Sequence, residues 1–237
     1  MGSVYRLTVR QLSGRWRILI MTVLATLPVI LAWLNISDDH AQTVAAFENA
    51  TLSTVLAGSI APLMVLAIAA AAFSNELEDR TLANLTLAPL ARWRIAVPKL
   101  LASITVAAPF IGASALATSY IAFLGDPLAV VAVTVSLLVS VMLYAAAFLW
   151  LGLMTTQAIG AGLLYIVLWE GFFSGYVAGV RLLSIRHYAT ALMHGLDERR
   201  FAAMEHPTVP VTVFIVLLVL TGFVWLTIRR LRRMDVP

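Results

Sequence analysis

Apolar residues in this chain are grouped in long blocks, and short polar segments separate one block from the next. A helix needs about 20 consecutive apolar residues to cross the hydrocarbon core of a bilayer. Six blocks meet or approach that length, so the pattern predicts an all-α membrane protein with six transmembrane helices in one domain over residues 1–237. The predicted spans are about 18–34, 52–73, 100–124, 128–154, 159–179 and 209–228.

The segment before the first span predicts a helix at the membrane interface. Apolar and aromatic residues between Tyr5 and Trp16 recur at helical spacing and share one face, whereas arginines lie on a neighbouring face. Arginines in such a position contact lipid phosphates. The membrane-interface candidates are Arg6, Arg10, Trp16 and Arg17. A plain positive flank of the first span would carry the same charges, so both interpretations stay open.

The longest charged segment between two apolar blocks runs from Ser74 to Lys99. Leu82 and Leu85 have the spacing that places two residues on one helical face. The opposite face carries the charged residues Glu76, Asp79 and Arg80. This arrangement predicts a short amphipathic helix on the cytoplasmic membrane surface, which ends or turns at Pro89 and offers its polar side to a soluble partner.

Composition supports a membrane protein and narrows the chemistry. Of the 237 residues, 61% are hydrophobic and 12% are charged, whereas a soluble domain carries about 25% charged residues. The net charge of +4 does not indicate nucleic-acid binding, because the arginines flank apolar blocks. The sequence contains no Cys, which excludes disulfides, thiolate nucleophiles and Cys-ligated metals.

The distribution of basic residues predicts the orientation, because cytoplasmic segments of membrane proteins are enriched in Lys and Arg. With the N-terminus inside, the inner segments hold twelve of the sixteen basic residues. The prediction is therefore a multi-pass protein of the plasma (inner) membrane with both termini in the cytoplasm. The outer loop between Glu170 and Pro207 mixes aromatic residues with arginines, which predicts short re-entrant helices between spans five and six.

Two motifs resemble those of the ABC-2 type permeases, the membrane-spanning subunits of ABC exporters. In that family, acidic residues, a Thr-Leu pair and a proline before a basic residue form a coupling helix after the second span. The matching residues here are Glu76, Glu78, Thr81, Leu82, Leu85, Pro89, Arg92, Ile95 and Lys99. Arg80 stands where the family commonly has a glycine. The second motif is the family's Leu-Ser-Pro-x-x-Tyr segment, which Leu183 to Tyr188 resembles with Ile185 in place of the proline.

The resemblance implies a permease domain over the whole chain and a transport function. Two permease chains, an identical pair, would form the translocation path, and two copies of a cytoplasmic ATP-binding subunit would drive it. That subunit would bind ATP and Mg, so this chain would have no cofactor and no catalytic residue and would not itself be an enzyme. The residues implied in coupling to it are Glu76, Glu78, Asp79, Arg80, Thr81, Leu82, Leu85, Pro89 and Arg92.

Glu170 is the most unusual single residue, because it ends an apolar block beside Trp169. A carboxylate near the membrane interior is costly and suggests a function. Two other interpretations stay open: Glu170 pairs with Arg181, or it caps the outer end of the fifth span. The candidates for a substrate path or an outer gate are Glu170, Phe172, Phe173 and Tyr188.

Other chemistry finds little support in the sequence. The histidines and the neighbouring acid of the outer loop match no paired-ligand spacing, so no metal site is predicted; they are His187, His194, Glu205 and His206. No glycine-rich phosphate loop is present, and we expect Gly160 and Gly162 to serve close helix packing.

Because the spans hold few charges, we expect an amphipathic or lipid-like cargo. The alternative functions are a stand-alone secondary transporter and an integral membrane enzyme.

Overall fold

The computed structural model describes residues 2–37, 48–78, 91–173, 184–199, 201 and 207–233. All regular elements within these ranges are helices, which confirms the prediction of an all-α fold. Numbered in chain order, they are α1 (Gly2–Leu12), α2 (Arg15–Ser37), α3 (Glu48–Ile60, Ala61–Ala69 and Ala71–Glu78), α4 (Trp93–Ala122), α5 (Pro127–Met154), α6 (Ala158–Leu164 and Tyr165–Phe173), α7 (Ile185–Leu196) and α8 (Val209–Arg233). The first part of α3 and the second part of α6 are π-helical.

Five helices among the described residues are long and apolar enough to cross a membrane. They are Arg15–Asn35, Thr51–Glu78, Trp93–Ala122, Pro127–Met154 and Val209–Arg233. The predicted fifth span, 159–179, corresponds to α6, whose apolar stretch Ala158–Phe172 is shorter than these helices. The remainder of that span lies outside the described residues. The chain is therefore a multi-pass membrane protein, and the sixth span stays a prediction.

Helix boundaries differ from the predicted spans where charged residues adjoin apolar blocks. α3 continues to Glu78 rather than ending at Phe73, and α4 begins at Trp93 rather than at Leu100. Both helices extend through polar residues because an ion pair between them compensates buried charge. Residues 79–90, which hold most of the predicted amphipathic helix, lie outside the described residues.

α3, α4 and α5 form the centre of the bundle, and α2 and α8 lie at its periphery. In the most apolar window of α3, 78% of the residues are buried, against 17% in α2 and 11% in α8. Large apolar side chains of the peripheral helices, such as Trp33 and Phe214, are exposed. Such surfaces are stable in a membrane, because lipid chains are as apolar as the side chains themselves.

One end of the bundle is rich in exposed arginines, and we call it the arginine end. α1 packs against α4 and also contacts the last part of α3. Its Tyr5 hydroxyl donates to Thr105 Oγ1 over 3.1 Å. The chain reverses at the turn before Pro127, so α5 ends where α4 began. There Trp150 of α5 packs on Phe223 of α8 at 5.8 Å between ring centroids, and α8 continues into its terminal arginines.

The opposite end of the bundle carries α7, and we call it the α7 end. α7 contacts the first part of α3 and packs along α5 and α8. Phe201, five residues beyond the end of α7, packs edge-on against Phe123 in the turn after α4, at 5.8 Å between ring centroids. The predicted outer loop thus contains one helix within its described residues, and that helix is packed on the bundle rather than projecting from it.

α1 has the amphipathic character that the sequence predicts. Thr8 and Leu12 are buried against the bundle, whereas Arg6 and Arg10 are exposed. The two remaining interface candidates belong to the first turn of α2, where Trp16 is exposed and the guanidinium of Arg17 donates to the carbonyl of Gln11 over 3.3 Å. The position of α1 at a lipid surface stays a prediction.

Two glycines allow close contacts between the central helices. A Cβ atom at Gly152 of α5 would collide with the backbone carbonyl of Ala70 in α3, and one at Gly162 of α6 would collide with Leu66 of α3. Gly160 faces open space. The expectation of close packing therefore fits Gly162 and does not fit Gly160.

Replacing Gly152 by Ala should lower the free energy of unfolding by about 1–3 kcal/mol, the usual effect of overpacking, because a backbone carbonyl cannot rotate away as a side chain can. Thermal unfolding of the purified protein in detergent measures this change. Gly160→Ala is the matched control, because a Cβ there meets nothing within 4 Å. Equal unfolding midpoints for the two variants would contradict the close contact at Gly152.

Candidate functional site

Two groups of buried polar side chains lie at different depths in the bundle. The first, at the arginine end, joins α3 to α4 through Glu76 and Lys99. The second, beside the first turn of α7 and level with Tyr144 in the interior of α5, is arranged around Glu170 of α6. Charge buried in an apolar bundle is stable only when it is paired or hydrogen-bonded, so both groups constrain how the helices pack.

The ammonium group of Lys99 is 1% exposed and is held by three contacts. Its Nζ atom lies 2.5 Å from Glu76 Oε1 and also donates to the carbonyl oxygen of Ala72. It stands 4.3 Å from the centroid of the Phe73 ring, a cation–π distance. All three partners belong to the last part of α3, whereas Lys99 belongs to α4. The contact therefore fixes the end of one helix against the start of the next.

The Glu76–Lys99 ion pair joins the two helix ends that flank residues 79–90, the central part of the predicted coupling segment. Glu76 precedes those residues in α3, and Lys99 follows them in α4. The helix ends from which the segment departs and to which it returns are therefore held side by side. The second carboxylate oxygen of Glu76 is buried and has no hydrogen bond within the described part of the chain.

The structure places three of the predicted coupling residues. Glu76 is paired with Lys99, Glu78 is exposed as the last residue of α3, and Arg92 is half-buried immediately before α4. Six others lie outside the described residues, namely Asp79, Arg80, Thr81, Leu82, Leu85 and Pro89. The coupling role of the whole set stays a prediction.

Glu170 is fully buried and accepts hydrogen bonds from three different helices or their caps. Tyr144 of α5 and Tyr165 of α6 each donate a phenolic O–H to Oε1 over 3.1 Å. The backbone N–H of Ile185 donates to the same oxygen over 3.0 Å, and the Ser184 hydroxyl donates to Oε2 over 2.5 Å. A carboxylate with these donors is stabilised without any contact to bulk water.

The π-helical part of α6 explains why Tyr165 and Glu170 meet. The two residues are five positions apart, a spacing that points side chains in different directions on an α-helix. A π-helix pairs residues i and i+5, so it brings both side chains to one face. Such local widening of a helix is common at functional sites.

Ser184 connects the Glu170 group to the start of α7. It is the N-cap residue: its hydroxyl accepts from the backbone N–H of His187 over 3.2 Å while donating to Glu170. Ile185 is the first residue of the helix, and its N–H is one of the groups that a helix start leaves unpaired. The Glu170 carboxylate satisfies that N–H and lies at the positive end of the helix dipole.

Arg186 ties α7 to a different helix. Its Nε and Nη2 atoms donate to Ser53 Oγ of α3 over 3.2 and 3.0 Å, and Nη2 also donates to Thr54 Oγ1 over 3.1 Å. Burial lowers the pKa of Arg186 from its ordinary value, and the nearby Glu170 carboxylate opposes that change. The first turn of α7 therefore makes two contacts that involve a charged group. It donates to the Glu170 carboxylate of α6, and its Arg186 guanidinium donates to α3.

The other candidates for the path or gate are not gathered around Glu170. Phe172 is exposed, Tyr188 is buried in α7, and the side chain of Phe173 lies outside the described residues. Burial raises the pKa of Tyr188. Arg181, the alternative partner of Glu170, also lies outside the described residues. The partners of Glu170 in the structure include the two tyrosines and the N-cap of α7. In the sequence, only the Leu183–Tyr188 motif indicated any of these partners.

The described part of the chain contains no group of three metal-ligating side chains. The Nδ1 atom of His194 lies 2.7 Å from the carbonyl oxygen of Thr190. Burial lowers the pKa of His194, so this ring is neutral at pH 7. Glu205 and His206 lie outside the described residues, and the expectation of no metal site stays a prediction.

Comparison with known families gives a match over most of the chain. A family model described as an ABC-2 family transporter protein matches residues 9–190. The matched range runs from α1 into α7 and includes both buried polar groups. A comparison with curated proteins found no match.

Replacing Lys99 by Met should lower the free energy of unfolding by about 3–5 kcal/mol, because it leaves the Glu76 carboxylate without its buried cation. The double variant Glu76→Met with Lys99→Met should recover most of this loss, since an apolar pair of similar volume needs no compensation. Unfolding of the purified protein in denaturing detergent measures Lys99→Met, the single variant Glu76→Met and the double variant. Losses that simply add in the double variant would contradict a direct interaction.

Proposed function

Because this chain belongs to the ABC-2 family of transporter proteins, as its match over residues 9–190 establishes, we propose that it is the membrane-spanning subunit of an ATP-driven exporter. In this proposal two copies of the permease form the translocation path. Each copy binds one cytoplasmic ATP-binding subunit, which is a separate chain and holds the ATP and Mg. The permease itself carries out no hydrolysis.

The family match is the observation that carries the proposal, and the pair at the arginine end supports it. ATP can move a permease only if the ATP-binding subunit contacts its two states with different affinity. A contact of that kind transmits motion best through a segment whose ends are rigid. The Glu76–Lys99 pair provides such ends, because it joins α3 to α4 directly beside residues 79–90.

The contact with the ATP-binding subunit is assigned to the coupling residues given by the sequence. Glu78 is exposed beyond the ion pair, so its carboxylate is available to a docking surface of opposite charge. Glu76 supports the same contact indirectly, because its ion pair with Lys99 holds the helix ends beside the coupling segment. Leu82 and Leu85 are proposed to hold the segment against the membrane domain.

The proposed orientation places the arginine end in the cytoplasm and the α7 end outside, in a plasma (inner) membrane. Exposed arginines of α1, α2, α4 and α8 at one end support this assignment, because the inner side of a membrane attracts basic residues. Arg6 and Arg10 would contact lipid phosphates while Trp16 lies at the interface.

The proposed cargo is amphipathic or lipid-like. Charged side chains in the described spans are few and engaged with one another, as Lys99 is with Glu76, so a highly charged solute would find little compensation along the path. Export from vesicles that contain the permease and its ATP-binding subunit should favour amphipathic solutes. A strict preference for a multiply charged solute would contradict this assignment.

The alternative of a secondary transporter needs a carboxylate that exchanges a proton or sodium ion during transport. Glu170 is the residue that the sequence offers for this role. Its carboxylate already accepts four hydrogen bonds from neighbouring groups, so the geometry favours a positioning role instead.

Affinity purification of a tagged permease should recover an untagged ATP-binding protein whose gene lies near that of the permease. Glu78→Lys should weaken that association by about fivefold, because an exposed charge pair contributes about 1 kcal/mol at most and reversal adds repulsion. The binding constant of the reconstituted pair measures the change. Glu198→Lys is the matched control, since Glu198 is also exposed but lies at the α7 end. Recovery of no ATP-binding protein would overturn the proposed function.

A further inference from the structure

α7 runs along α5 from the level of Tyr144 toward the turn after α4, and its contacts come from several helices. It packs along α5 and α8 and contacts α3 within the described residues. Most of its length is buried, including Ala189 and Met193. Leu196 at its end and Glu198 just beyond it are exposed. The first turn of this short helix is therefore held inside the bundle, and its last turn lies against the start of α8.

The two ends of α7 are held by different kinds of contact. The first turn is held by polar contacts, from Ile185 and Ser184 to Glu170 and from Arg186 to Ser53. The last turn is held by apolar packing. Gly195 lies directly against Val209 of α8, so closely that a Cβ atom would collide with it.

Aromatic contacts extend the apolar attachment at the end of α7. The His194 ring packs on Phe201 at 5.6 Å, and Phe201 packs on Phe123 at 5.8 Å between ring centroids. Apolar contacts lose stability when water enters. A buried carboxylate, in contrast, can exchange its protein donors for water once water reaches it. The first turn is therefore the end that can be released, and the last turn is the natural pivot.

Ile185 contributes a donor that a proline would lack. The similar family segment has proline at this position, and proline has no backbone N–H. The local geometry would accept proline, since Ser184 has φ −87° and ψ 126°, the extended conformation preferred before proline, and the first helical position tolerates it. Isoleucine here leaves the N–H available, and that N–H donates to Glu170.

We propose that the first turn of α7 is a hinged segment that can leave the interior of the bundle and that Glu170 is its latch. Arg186 provides a second attachment to α3, and the contacts around Phe201 form the hinge. Opening separates the first turn of α7 from α6 and admits water to the carboxylate. The purpose of such a release rests on the proposed transport function, in which it would open the path of the cargo, whereas the latch itself does not depend on an ATP-binding subunit.

The experiment uses the absence of Cys from the natural sequence. Ala189→Cys places a single thiol on the buried face of α7 as a reporter, and Ala96→Cys places one in α4 at the arginine end, where Ala96 is also buried. The purified permease, without partner subunits, is treated with a hydrophilic maleimide and the labelling rate of each thiol is measured. Slow labelling of both reporters is expected in the otherwise unchanged chain.

Glu170→Gln should raise the labelling rate at position 189 by at least about tenfold, the change expected when a charge-assisted hydrogen bond is lost from an opening equilibrium. Ile185→Pro removes one donor and should raise the rate by a smaller factor. The rate at position 96 should not change in either variant. Glu198→Gln and Ile185→Val are the matched controls, because they keep the carboxylate and the N–H of the latch.

An unchanged rate at position 189 in both latch variants would overturn the proposal. Equal acceleration at positions 189 and 96 would overturn it as well, since this result means general loosening of the bundle. Ile185→Pro keeps the test decisive if Glu170→Gln does not fold. The labelling outcome is independent of partner purification, so the latch and the proposed function can fail separately.

Discussion

The cost of removing charge from water is the constraint on which this bundle depends most. Lys99 and Glu170 are almost completely buried, and neither would be stable there alone. Each is compensated by groups on a neighbouring helix rather than only by its own. Lys99 therefore requires α3 and α4 to stay adjacent, and Glu170 requires the same of α6, α5 and α7. These two buried charges, at different depths, help to determine which helices pack together.

Directional contacts are important in this bundle because apolar packing in lipid distinguishes poorly between alternative arrangements of the helices. Lipid chains can replace apolar side chains at little cost, so burial alone does not determine the rotation of a helix. The close backbone approach at Gly152 and the hydrogen bonds to buried charges constrain the rotation of the helices instead. The same principle gives α7 its two different ends, one held by direction-dependent bonds and the other by contacts that tolerate rotation.

The helical fold and most span positions follow from the sequence, because long uncharged blocks leave few alternatives. Glu170 could also be singled out, since it interrupts such a block. Its partners could not, because Tyr144 and Ser184 come from separate elements whose pairing depends on the assembled bundle. Tyr165 was hidden for another reason: five residues is the wrong spacing for an α-helix. Lys99 was visible as a motif residue, but its contact with Glu76 depends on how α3 and α4 pack.

The π-helical part of α6 also restricts how this region can change in length during evolution. A π-turn accommodates one residue more than an α-turn. Loss of one residue between Tyr165 and Glu170 with a return to α-helical winding would give an i, i+4 pair, which still shares one face, whereas α-helical winding with no residue lost would turn the carboxylate about 140° away from the tyrosine. In this short interval a deletion can therefore be compensated by a return to α-helical winding, whereas an insertion would separate the two side chains with either winding.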